Sequence, residues 1–87
     1  MKRLEARVYG WVQGVGFRAY TRMRALSLNL RGFAKNEPDG TVYIVAEGEE
    51  ENLLKLLEHI KNGPGRVDRV DYKITGAQGE FSGFSIL

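Results

Sequence analysis

The sequence predicts an α+β domain in which two helices cover one face of a mostly antiparallel, four-stranded sheet. Three observations predict it: segments of period-two alternation, two segments with apolar residues three and four apart, and glycine, proline or asparagine between them. The segments follow the order β-α-β-β-α-β. Eighty-seven residues leave room for a single domain, expected to span residues 1–87. A composition of 43% hydrophobic and 28% charged residues is that of a folding chain.

Residues 3–12 alternate, with Leu4, Ala6, Val8, Gly10 and Val12 on one face and Arg3, Glu5, Arg7, Tyr9 and Trp11 on the other. That is a strand with one buried face. After the turn Gln13-Gly14-Val15-Gly16 the spacing changes. Ala19, Met23, Leu26 and Leu30 predict an amphipathic helix from Phe17 to Leu28, closed by Asn29, which tolerates the left-handed conformation. Residues 30–35 form a second strand. The turn-rich run Asn36-Glu37-Pro38-Asp39-Gly40 joins it to a third over residues 41–47, whose Val42, Ile44 and Ala46 share a face. Glu49, Glu50 and Glu51 place negative charge where the dipole of a second helix favours it. Its stripe is Leu53, Leu56, Leu57 and Ile60, and Gly63-Pro64-Gly65 ends it. Residues 67–74 form the fourth strand, and residues 81–87 are a candidate short edge strand. Each helix has one apolar stripe to bury, so both lie on one face of the sheet, the ferredoxin-like arrangement.

The same arithmetic excludes whole classes of chemistry. No cysteine means no thiol nucleophile, disulfide or thiolate metal site, and His59 alone builds no multi-histidine centre. Thirteen basic against eleven acidic residues give a net charge of +2, far from a nucleic-acid-binding tail. No run approaches the ~18 apolar residues of a membrane span, and MKRLEARV is not a signal sequence. The expected location is cytoplasmic, with neither membrane nor nucleic acid as partner.

Gln13, Gly14, Val15, Gly16, Phe17 and Arg18 carry the main chemical signal. Two glycines two apart permit positive φ, a helix begins directly after them, and no side chain blocks approach. Backbone N–H groups and the helix dipole make such a turn an anion cradle, and Arg18 adds a guanidinium fork. The plainer reading is a tight turn with a solvated arginine. Residues 14–19 also satisfy G-x-G-x-x-A, but the rest of the chain cannot build a dinucleotide-binding parallel sheet. Arg31-Gly32-Phe33-Ala34 starts an RNP1 match that fails at Lys35 and Asn36. A non-catalytic ferredoxin-like module binding RNA or protein on its open face is the alternative function. Asn36 alone reads as a turn residue, yet strands joined across the first helix are parallel, which places it on the same sheet edge as the cradle.

Two long stretches, VYGWVQGVGFR at residues 8–18 and RGFAKNEPDGTV at residues 31–42, followed by GEFSGFSI at residues 79–86, resemble the acylphosphatase family over nearly the whole chain. The resemblance implies hydrolysis of carboxyl-phosphate anhydrides without metal, cofactor or covalent intermediate. It implies that Arg18 and the N–H groups of residues 13–18 bind the phosphoryl group and that Asn36 orients the attacking water. Inorganic phosphate is then product and inhibitor, the substrate is a small acyl phosphate, and a monomer is expected. Trp11 and Asn29 depart from the family's usual residues. Glu37, a carboxylate beside the anion site, is expected to point to solvent.

Overall fold

Period-two alternation and helical stripes resolve, in a computed structural model of residues 1–87, into β1 (Lys2–Trp11), α1 (Phe17–Ser27), β2 (Arg31–Asn36), β3 (Val42–Gly48), α2 (Glu50–Lys61), β4 (Arg66–Gly76) and β5 (Phe84–Ile86). The element order is the predicted one, with boundaries shifted by one or two residues in most elements. The sheet runs β4-β1-β3-β2-β5; every pair is antiparallel except β2 with β5. It therefore has five strands, because residues 84–86 pair along β2 beyond the four-stranded unit. No helix is long and apolar enough to cross a membrane.

One face of the sheet carries the core. Leu4, Ala6 and Val8 of β1, Val42, Ile44 and Ala46 of β3, Ala34 of β2 and Phe84 of β5 meet Leu53, Leu56 and Ile60 of α2. The α2 stripe is the one its spacing predicts. Helix α1 is not. Its buried residues are Phe17, Thr21 and Ala25, whereas Ala19 faces out, Met23 is 59% exposed and Leu26 43% exposed. Thr21 is admitted to the core because its hydroxyl donates to the Phe17 carbonyl at 2.9 Å, so that hydroxyl is not left unpaired. Ala25 lets the helix approach the sheet closely. Counting apolar side chains therefore rotates the helix wrongly. Leu30 is buried, but in the connection that follows Asn29, whose φ is 57°. We expect Ala25→Leu to lower the unfolding free energy by about 1–3 kcal/mol through overpacking. Met23→Gln should change it by less than about 0.5 kcal/mol. Urea titrations give the order, which would be reversed if the Met23 side of the helix faced the core.

The other face is partly roofed by the β4–β5 connection. Phe81 lies edge-on to Phe33 at 5.9 Å, and the Glu47 carboxylate, 4% exposed, accepts the amides of Gln78 at 3.0 Å and Gly79 at 2.9 Å and a guanidinium N–H of Arg3 at 3.2 Å. Burial pushes the Glu47 carboxyl up, but the two amides and Arg3 outweigh it and hold it below the ordinary carboxylate range. A carboxylate lowered in the folded state contributes stability that is present above its unfolded pKa and is lost as pH falls through the folded value. Stability should therefore drop on acidification below about pH 4.3, the ordinary glutamate value. Glu47→Gln should flatten that dependence and cost about 2 kcal/mol near neutrality, as urea unfolding across the acid range will measure.

Candidate active site

Topology brings the two conspicuous motifs together. Strands β1 and β2 are both antiparallel to β3, so they run the same way and end at the same sheet edge. Val42 pairs with Val8 on one side and Asn36 on the other, which puts Asn36 level with Val8, three residues before β1 ends at Trp11. Opposed residues share a face, so Asn36 lies on the helix side with buried Val8 and Val42, next to the start of α1. The parallel register Ala34↔Ile86 places Ile86 on that face too.

The glycine turn supplies the facing wall. Gly14 and Gly16 have φ of 74° and 80°, the left-handed region, and nothing lies within 4 Å of a Cβ built on either. Their glycine character thus serves backbone conformation and open approach and not tight packing. Gly16 caps α1 without any side-chain hydrogen bond, and the first turn contains no acidic residue. The first turn of α2, by contrast, carries Glu50 and Glu51. One helix start is already neutralised by its own carboxylates, while the other presents bare N–H groups and the positive end of its dipole.

Gly14, Gly16, Phe17, Arg18 and Asn36, together with Val12, Ala19 and Ile86, line one cavity of about 150 Å³. The cavity holds four of the six loop residues singled out from sequence, and Asn36. Of the other two, Val15 packs partly against the core, and the Gln13 side chain turns away to the β2–β3 turn. Arg18 donates to an oxygen of Leu87 at 2.8 Å, and the Leu87 amide donates to the Ala34 carbonyl at 2.9 Å, so the last residues of the chain help to set the guanidinium. Sequence reading missed Ile86, Ala19 and Val12 as lining residues. For Ile86 the strand spacing was visible, but its pairing with β2 was not.

Glu37 does not point to solvent as expected. Its side chain is 20% exposed and lies 4.0 Å from the Arg7 guanidinium, which draws the carboxylate toward that cation. Thr41, first through its hydroxyl and then through its amide, holds the Asp39 carboxyl below its ordinary value and stiffens the turn after Asn36. Trp11 is 65% exposed and does not line the cavity. Tyr72 pairs with Ala6 and so belongs to the helix side at the β4 edge, not to the outer face.

On the open face the rings of Tyr9 and Tyr43 are already covered. Arg69 sits 4.0 Å from the Tyr9 ring centroid and Arg7 5.1 Å from that of Tyr43. Lys73 pairs with Glu5, and Arg69 with Asp71. Rings stacked under internally paired cations give bases no free platform.

The family model of acylphosphatase matches residues 4–86. The chain belongs to the acylphosphatase family. It is 52% identical to an acylphosphatase of Mycolicibacterium smegmatis over 85 residues, covering 95% of this chain and 87% of the relative. The crystal structure of the Bacillus subtilis acylphosphatase superposes with a TM-score of 0.96 at 37% identity, over 100% of this chain and 99% of that one. An acylphosphatase from Coxiella burnetii gives 0.92 at 33% identity, covering 99% and 92%. As an acylphosphatase the chain is a hydrolase of acid anhydrides, and the non-catalytic binding module finds no support.

Proposed function

We propose that the cavity between the glycine turn and Asn36 hydrolyses small acyl phosphates by direct attack of water on phosphorus. The observation that carries this reading is the bare start of α1: an uncapped helix N-terminus, without acidic residues, facing the same 150 Å³ cavity as Arg18 and Asn36. The N–H groups of residues 13–18 and the Arg18 fork hold the phosphoryl oxygens, where charge is spread in the transition state. The Asn36 carboxamide, with one acceptor and one donor group, holds a water opposite the leaving oxygen. The water oxygen bonds to phosphorus, the bond from phosphorus to the acyl oxygen breaks, and a carboxylate leaves with the electron pair. The proton released from the water passes to a phosphoryl oxygen.

Asparagine is no general base, and none is required. A carboxylate is already a good leaving group, so positioning and charge stabilisation do most of the work. Inorganic phosphate fits the same cradle and inhibits as product. The proposed reaction uses no metal or cofactor, both walls of the cavity come from residues of one chain, and the expected form is a cytoplasmic monomer with one domain over residues 1–87.

Hydrolysis of benzoyl phosphate in ¹⁸O-labelled water tests the reading. The label should appear in phosphate and not in benzoate, turnover should survive EDTA, and inorganic phosphate should compete with substrate. Label in benzoate would show attack at the carbonyl carbon and sink the assignment of Asn36.

A further inference from the structure

Gln13 contributes a backbone amide to the proposed cradle, but its side chain makes a separate connection. Its Nε2 donates to the Glu37 carbonyl at 2.7 Å and to the Thr41 carbonyl at 2.9 Å. Both acceptors are carbonyls, so the amide nitrogen must be the atom that faces them, with both of its protons used. Glu37 directly follows Asn36. Thr41 closes the same turn by accepting the Glu37 amide at 2.9 Å, and Gly40 donates to the Glu37 carbonyl at 3.1 Å. No other hydrogen bond joins the turn at residues 12–16 to the one at residues 37–41.

We propose that the Gln13 side chain is a positioning residue that fixes the distance between the phosphoryl cradle and Asn36, acting through the Glu37 and Thr41 carbonyls. This rests on the reading that Arg18 holds the phosphoryl group and Asn36 the water. Other contacts shape the 37–41 turn from within or tie it to β1: Asp39 accepts from the Thr41 amide and hydroxyl, and Arg7 donates to the Thr41 hydroxyl at 3.0 Å. None of them reaches the glycine turn. In-line attack needs water and phosphorus held at one separation, and a displacement of about 1 Å can cost about 10²-fold in rate. The side chain required is neutral and carries two N–H donors on one atom. Glutamate in its place would set a carboxylate against two carbonyls, and methionine of similar length would leave both carbonyls without that donor.

The test is a double-mutant cycle read in steady-state kinetics with benzoyl phosphate, with inhibition by inorganic phosphate and thermal unfolding measured on every variant. Gln13→Met should lower kcat by about 10-fold or more while the inhibition constant for phosphate moves by less than about 3-fold. Combined with Asn36→Ala, it should cost little beyond Asn36→Ala alone, because the group it positions has gone. Additive losses, an unchanged kcat in folded Gln13→Met, or equal losses in turnover and phosphate binding would each overturn the proposal. If Gln13→Met does not fold, Gln13→Glu supplies the same cycle. The Asn36→Ala single variant reports separately on the underlying reading: an unchanged kcat there removes the water-placing role, whatever Gln13 does.

Discussion

Arg18→Lys should lower kcat/KM for benzoyl phosphate by about 10³-fold, the upper range for removing one preorganised donor from a developing oxyanion. Lysine keeps the charge. It loses the planar fork that grips two oxygens at once, and its ammonium is more strongly hydrated and less fixed. The geometry adds to the loss. The guanidinium is set over the cavity by its bond to Leu87, which is itself tied to β2 at Ala34, and an ammonium cannot satisfy that contact and a bidentate phosphate together. Both KM and kcat should suffer, because in the proposed mechanism the same fork would hold the ground-state and transition-state oxygens. Inhibition by inorganic phosphate should weaken in parallel, as competition assays will show. A variant retaining activity within about tenfold would mean that the backbone amides alone form the site.

Asn36→Ala should show the complementary pattern. Turnover is expected to fall by about 10²-fold or more, the scale of a lost positioning contact, while the inhibition constant for phosphate stays within about 3-fold of its original value. In the proposed mechanism Asn36 holds only the attacking water, and phosphate would sit against the facing wall formed by the glycine turn and Arg18. Its backbone remains paired with Val42 in the β2–β3 ladder, so the variant should fold with nearly unchanged thermal stability. If phosphate binding weakened as much as in Arg18→Lys, the division of roles between the two residues would be wrong.

Most of the architecture was legible because it is written in local periods. Alternation in residues 3–12 and 41–47, the leucine stripe of α2 and the turn at residues 36–40 each depend on neighbours close in sequence. Helix α1 shows where this fails. Its outward Met23 and Leu26 and its buried Thr21 follow from what the sheet leaves room for and from a hydroxyl that finds its partner four residues back. Polarity alone could not rank them. Glu37 was misread for a similar reason, since the cation that draws it, Arg7, lies on another strand.

The element order, the glycine turn opening onto a helix, and the pair of candidate residues Arg18 and Asn36 are all readable in the linear chain. Backbone freedom and helix dipoles are local properties, and long motifs preserve them in readable form. Which groups surround the cavity emerges only in three dimensions: Ile86 in its lining, the Leu87 main-chain oxygen that sets Arg18, and the Gln13 bridge to the turn beside Asn36. Those bonds join residues separated by 24 to 69 positions, and such partners are chosen by strand register and helix docking, which no single segment of the chain encodes.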